Sequence, residues 1–215
     1  PVAKALYTSL KRFDQAAVLQ VLVVDENELQ SEDEGLNIIQ VKELSNSSLF
    51  SGIKNKSEHT NKDHFRWSLK PVLLCWLLER GFQKVIFVDP DLFFVNKYDF
   101  LFKMLDSNSI LLTPHWNDIQ PAMLEESLIH LFRNGLFNAG FVAATPKGLP
   151  ALKWWAEACH YKTEKQPDLG LYVDQKYLDI FLIEFPDTGI LKHRGCNLAS
   201  WNMNSSKRSL KEGKL

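Results

Sequence analysis

Residues 84–95 read KVIFVDPDLFFV, in which Val85, Ile86, Phe87 and Val88 form an unbroken apolar run that closes on two aspartates flanking a proline. Successive side chains on a strand point to opposite faces, so such a run suits a strand covered on both sides. Pro90 has no N–H to give to a ladder, which predicts that pairing stops near Asp89. Side chains two apart on extended backbone point the same way, and Asp89 and Asp91 are therefore expected to converge at the carboxyl edge of the sheet. Open α/β sheets take their ligands at that edge. Two converging carboxylates repel each other unless a cation sits between them, and a hard divalent ion carrying phosphate oxygens suits the place. The plain alternative is a solvated turn, because Asp and Pro are common turn residues.

The rest of the chain alternates strand and helix. Helical spacing covers residues 3–12 and 149–161, and a helix is expected from Pro71 to Arg80, closed by Gly81. Shorter helices are read near Asp99–Leu105, over Ile119–Arg133 and over Val173–Phe185, and a turn over Asp168–Gly170. Strand runs occur at Val18–Val24, Ile110–Thr113, Leu136–Thr145 and Ile190–His193. The polar stretch 26–63 reads as a weak strand at Leu36–Val41 followed by a mobile loop. This alternation predicts one α/β domain over residues 1–215, with a mixed, mainly parallel sheet flanked by helices. The runs at Val18, Val85, Ile110 and Phe137 are expected to share that sheet.

The 215 residues carry a formal net charge of −1, which gives no electrostatic case for nucleic acid. Lys207, Lys211 and Lys214 read as a solvated tail. Cys75, Cys159 and Cys196 are odd in number and widely spaced, fitting neither a disulfide framework nor a C-x-x-C metal site. A reducing, cytoplasmic setting is expected. No apolar run approaches the ~20 residues that span a bilayer, and no signal peptide is visible; peripheral association with a membrane is left open. Because the first residue is Pro1 rather than methionine, the sequence reads as part of a longer protein.

Several other groups carry chemistry. Lys70 precedes Pro71, which suits the first position of a helix, so Lys70 is placed on the entering turn, beside free N–H groups that suit a diphosphate. Phe137-Asn138-Ala139-Gly140-Phe141 puts an amide and a glycine into an apolar strand, as a close-approaching ligand would require; Asn138 could bond a sugar hydroxyl. Asp174 and Gln175 open a predicted helix. Asn197, Ser200, Trp201 and Asn202 form a polar-aromatic cluster that could meet a sugar or base, or simply pack on itself. His115 follows a strand and His193 ends another, but no paired-histidine spacing supports zinc. No G-x-S-x-G, Walker or G-x-G-x-x-G pattern is present.

In order, KP, the strand ending in DPD, FNAGF, VDQK and CNLASWN resemble bacterial nucleotide-sugar glycosyltransferases of the GT-A fold, near the retaining galactosyltransferase (glycogenin-like) group. The resemblance runs from Ala3 to about Met203. It implies a metal-dependent glycosyltransferase moving a sugar from a nucleotide-diphosphate donor to a hydroxyl of a glycan or other acceptor. It implies that Asp89 and Asp91 hold Mn²⁺ or Mg²⁺ on the donor diphosphate, with Lys70 assisting. Asn138, Asp174 and Gln175 would line the sugar and acceptor pocket, and Asp174 would be the base if the anomeric centre inverts. Two family features have no counterpart here: a first strand touching the nucleobase, which would precede Pro1, and a metal-binding histidine, which would follow Leu215. Alternatives are a non-catalytic nucleotide-sugar or glycan-binding module and a haloacid-dehalogenase-type phosphatase. The latter is disfavoured by Leu92, Phe93 and Phe94 after the second aspartate.

Overall fold

A computed structural model describes residues 2–25, 29–57, 61–117 and 125–205. In chain order these form α1 (Val2–Lys11), β1 (Leu19–Val23), β2 (Leu36–Gln40), a 3₁₀ segment (Val41–Asn46), α2 (Ser48–Ser57), α3 (Lys62–Glu79), β3 (Val85–Val88), α4 (Asp99–Met104), β4 (Ile110–Pro114) and α5 (Glu125–Asn134). There follow β5 (Phe137–Ala144), α6 (Leu149–Tyr161), β6 (Lys165–Gln166), β7 (Leu171–Tyr172), a 3₁₀ stretch (Lys176–Ile180) running into α7 (Phe181–Glu184), and β8 (Thr188–Ile190). The chain is mixed α/β, and alternating strands and helices were legible in the sequence. The start of the helix expected over Ile119–Arg133, and the three tail lysines, lie outside the described residues.

The sheet departs from expectation in two ways. The four-stranded sheet has the order β3-β5-β4-β8, and β5 runs antiparallel to both β3 and β4, leaving β4–β8 as its parallel pair. It is mixed rather than mainly parallel. The Val18 run does not join it: β1 pairs in parallel with β2 in a separate two-stranded sheet, Leu19 opposite Leu36. The antiparallel direction of β5 is what builds the site, because the start of β5 then lies beside the carboxyl ends of β3 and β4.

Period-two alternation divides the central sheet between two apolar layers. Val85, Ile110, Leu112, Val142 and Ala144 face α2, α3 and α6, where Leu74, Leu152 and Trp155 are buried. Ile86, Val88, Leu111, Phe141 and Ala143 face α1 and α4 through Leu6, Leu10 and Leu101. The sheet is thus covered on both faces, as the apolar run at Val85 predicts.

Helix boundaries shift where tertiary packing outweighs local pattern. Residues 41–57 are helical rather than a loop, since Leu44, Phe50 and Ile53 supply a buried stripe within an otherwise polar run. α3 starts nine residues before Pro71, at Lys62, where Asn61 accepts hydrogen bonds from the N–H groups of Asp63 and His64. Pro71 therefore lies inside the helix. Its missing N–H leaves the carbonyl of Trp67 without the usual helical partner. The helix expected at Val173 starts at Lys176 instead, because Val173 takes the left-handed backbone, φ +46°. The three cysteines are free thiols.

Trp155 links this core to the site: it is fully buried, and its indole N–H donates to the Asp174 carbonyl at 2.7 Å. Trp155→Phe should cost at least about 1–3 kcal/mol by orphaning that carbonyl, read as a lower urea midpoint at unchanged m-value. A midpoint equal to wild type would contradict this anchoring.

Candidate functional site

Beyond Val88 the ladder continues for one bond, Asp89 N–H to the Gly140 carbonyl at 2.9 Å. The chain then turns, with Leu92 N–H donating back to the Asp89 carbonyl at 3.1 Å and Pro90 inside the turn. Asp89 points into the protein, whereas Asp91 is exposed and does not line the cavity that Asp89 enters. Pro90 and Asp91 form a turn, so the two aspartates do not sit on one extended strand, yet the charge of Asp91 still acts on the Asp89 carboxyl.

Asp89 meets Lys70, whose Nζ lies 3.3 Å from Asp89 Oδ1, 3.2 Å from Asp174 Oδ2 and 3.3 Å from the Ala139 carbonyl oxygen. The Phe87 ring lies below the same ammonium, 5.4 Å from its centroid. Lys70 is buried in the middle of α3, not at a helix start, so its charge acts without the free N–H groups expected there. The Asp174 side chain is 2% exposed, that of Asp89 36%. Lys70 is the charge partner of Asp174 Oδ2, which is itself fully buried.

One positive charge between two carboxylates leaves the cluster short of a proton. Burial pushes the carboxyls of Asp174 and Asp89 above the usual carboxylate range, against the pull of Lys70. Burial alone would lower Lys70, but Asp174 and Asp89 outweigh it and hold the ammonium above its ordinary value.

Gly140 allows this approach. A β-carbon there would stand 2.8 Å from Asp89 Oδ2 and 3.0 Å from Asn138 Oδ1. Asn138 accepts from Gly140 N–H at 2.8 Å and donates to Asn197 Oδ1 at 2.7 Å, and Asn197 donates on to the Pro114 carbonyl at 2.8 Å. Gln175 lies in the same wall, but both ends of its amide are engaged: Oε1 accepts from Ala139 N–H at 3.2 Å, and Nε2 donates to the Asn134 carbonyl at 2.8 Å. It holds the start of β5 in place.

Lys70, Asp89, Asn138, Gly140, Asp174 and Gln175 thus line one cavity of about 190 Å³. The sequence reading missed three wall residues, Trp67 on α3 and Lys165 and Tyr172 on the β6–β7 hairpin. Trp67 stands three residues before Lys70, on the same helix face, a spacing that could have flagged it. Lys165 and Tyr172 flank the Pro167–Gly170 turn and sit directly opposite each other.

His115 is buried. Its Nδ1 is 3.2 Å from the Gly135 carbonyl, burial lowers its pKa, and its carbonyl accepts from Trp201 Nε1 and Asn202 Nδ2. The Asn197–Asn202 segment therefore packs on the end of β4 and meets the cavity wall through the bond from Asn138 to Asn197. His193 is exposed, with its ring on Phe100.

No family model and no solved structure matches the chain. Among curated proteins, YfnF of Bacillus subtilis (strain 168), itself uncharacterized, is 30% identical over 99% of this chain and 72% of its own length. The chain belongs to the YfnF family. A second uncharacterized protein of that bacterium, YfnD, is 27% identical over 85% of this chain and 57% of its own length. This YfnF-family chain therefore spans 72% of one relative and 57% of the other. Among its described residues no helix is long and apolar enough to cross a membrane.

Lys70→Met should destabilise the fold by about 3–5 kcal/mol near neutral pH, because two carboxylates lose their buried counter-charge. The deficit should shrink as pH falls toward 4, where the carboxyls take up protons. In the wild type, Asp89 and Asp174 titrate above the unfolded-chain value, so their contribution to stability falls as pH rises through that interval. Asp174→Asn should accordingly gain on wild type between pH 4 and 7. Urea titrations across that range check both, and a pH-independent difference would contradict the charge cluster.

Proposed function

We propose that this chain is the sugar-transfer unit of a metal-dependent glycosyltransferase of GT-A type, which moves a sugar from a nucleotide-diphosphate donor to an acceptor hydroxyl. The observation that carries the reading is a cavity beside the Asp-Pro-Asp turn that brings Lys70, Asp89, Asn138 and Asp174 together, with the ammonium between the two carboxylates. The resemblance of the VIFVDPD, FNAGF and VDQK motifs adds the donor class.

Among the described residues no three His, Cys, Asp or Glu side chains cluster as a metal cage. The aspartates fit a hard cation that takes most of its oxygens from a ligand and fit no cation held by the protein alone. Asp89 and Asp91 would hold Mn²⁺ or Mg²⁺ in this way, and the ion would offset charge on the departing diphosphate. Lys70 supplies a second positive charge close by. Asn138 and Gly140 shape the wall against which the donor sugar would lie, and Gln175 fixes that wall. In transfer, the bond from the anomeric carbon to the diphosphate oxygen breaks and a bond to the acceptor oxygen forms. Asp174 is placed to orient the acceptor hydroxyl and, where the anomeric centre inverts, to take its proton.

A nucleotide-sugar panel tested by thermal shift with and without Mn²⁺ examines the reading. A donor at 100 times its Kd should stabilise the chain by about 2.7 kcal/mol, and Asp89→Asn or Asp91→Asn should remove most of the Mn²⁺-dependent part. A full Mn²⁺-dependent shift in both variants would place the metal elsewhere.

A further inference from the structure

The cavity has a polar floor and an aromatic mouth, and the mouth has no part in the charge cluster. Trp67, on the face of α3 that carries Lys70, forms one side. The β6–β7 hairpin forms the other: Lys165 and Tyr172 are cross-strand partners, with the ammonium 5.0 Å from the centre of the tyrosine ring. The same cavity is lined by Asp174, whose side chain is 2% exposed and pairs with the Lys70 ammonium at 3.2 Å. The hairpin reaches that carboxylate through Val173, whose N–H is tied to the Glu164 carbonyl at 3.2 Å and whose φ is +46°. A β-branched residue adopts that backbone only under strain. The surrounding fold holds the strain, and with it the spacing between the aromatic mouth and the buried acid.

Flat aromatic faces in one cavity with carboxylate, ammonium and amide groups suit a sugar. A pyranose ring has a face of C–H groups that packs on an aromatic ring, and an edge of hydroxyls that needs acceptors and donors. Resting on the function proposed above, we infer that the mouth formed by Trp67, Tyr172 and Lys165 is the acceptor subsite and that the acceptor is itself a sugar. The terminal pyranose packs on the aromatic side chains, Lys165 donates to a ring hydroxyl at the rim, and the reacting hydroxyl points down to Asp174. Trp67 and Tyr172 are then specificity-determining residues for the acceptor and have no part in holding the donor.

Saturation-transfer NMR on the full chain, with methyl α- and β-hexopyranosides of glucose, galactose and mannose, alone and with Mn²⁺ plus uridine diphosphate, tests this. At least one glycoside should bind. Trp67→Ala and Tyr172→Ala should each weaken it by about tenfold or more, whereas Trp67→Phe and Tyr172→Phe, which keep a flat ring, should stay within about threefold. The Mn²⁺-dependent nucleotide thermal shift should be unchanged in all four variants, which also reports that they are folded. Undiminished glycoside binding in the alanine variants, or no binding of any glycoside by the unmodified chain, would overturn the acceptor subsite. Glycoside binding that depends on Trp67 and Tyr172 without any nucleotide binding would instead leave the subsite standing and remove the transferase.

Discussion

One ammonium between two carboxylates organises this molecule. Lys70 from α3, Asp89 from the end of β3 and Asp174 from the segment after β7 meet within 3.3 Å. None of the three could be buried alone, since an isolated buried charge costs several kcal/mol. Each element is fixed by what its charged residue needs. α3 runs through Pro71 without stopping, β5 carries Gly140 where a side chain would strike Asp89, and Val173 accepts left-handed backbone so that Asp174 turns inward. Local preference gives way at all three places: Gly140 and Val173 line the cavity, and Pro71 directly follows Lys70, which does too.

Sequence periodicity made much of the architecture legible. α6 was read at Leu149–Tyr161, as found, and the strands at Leu19, Val85, Ile110 and Phe137 were each located. Strand direction was not legible, because an apolar run looks the same read up or down a sheet. The antiparallel course of β5 and the separate β1–β2 sheet therefore came only from tertiary pairing. The Lys70 reading failed for a related reason. A proline usually starts or ends a helix, and nothing local reveals that Asn61 caps the helix nine residues upstream of Lys70.

The site residues fared unevenly, and the reasons are physical. Lys70, Asp89, Asn138, Asp174 and Gln175 do come together, although they span more than a hundred residues of chain. Asp91 stayed outside the cavity because two residues of turn replaced two residues of strand. Gln175 proved to be a brace, with both amide ends holding backbone. Lys165 and Tyr172 escaped notice because their strands are only two residues long, too short for any periodic signal.

The family relation to YfnF covers nearly the whole chain and brings no chemistry with it, so the functional reading rests on the cavity and on the motifs that line it. Its central claim is that Asp174 and Asn138 act on the sugar, with the nucleotide held elsewhere. Release of nucleoside diphosphate from a nucleotide sugar, followed in the presence of a glycan acceptor for wild type, Asn138→Ala and Asp174→Asn in the complete protein, tests that claim most directly. The account predicts that each variant loses at least about tenfold in transfer, the equivalent of ~1.4 kcal/mol of transition-state stabilisation, while nucleotide binding changes much less. Near-normal transfer in both variants would contradict it.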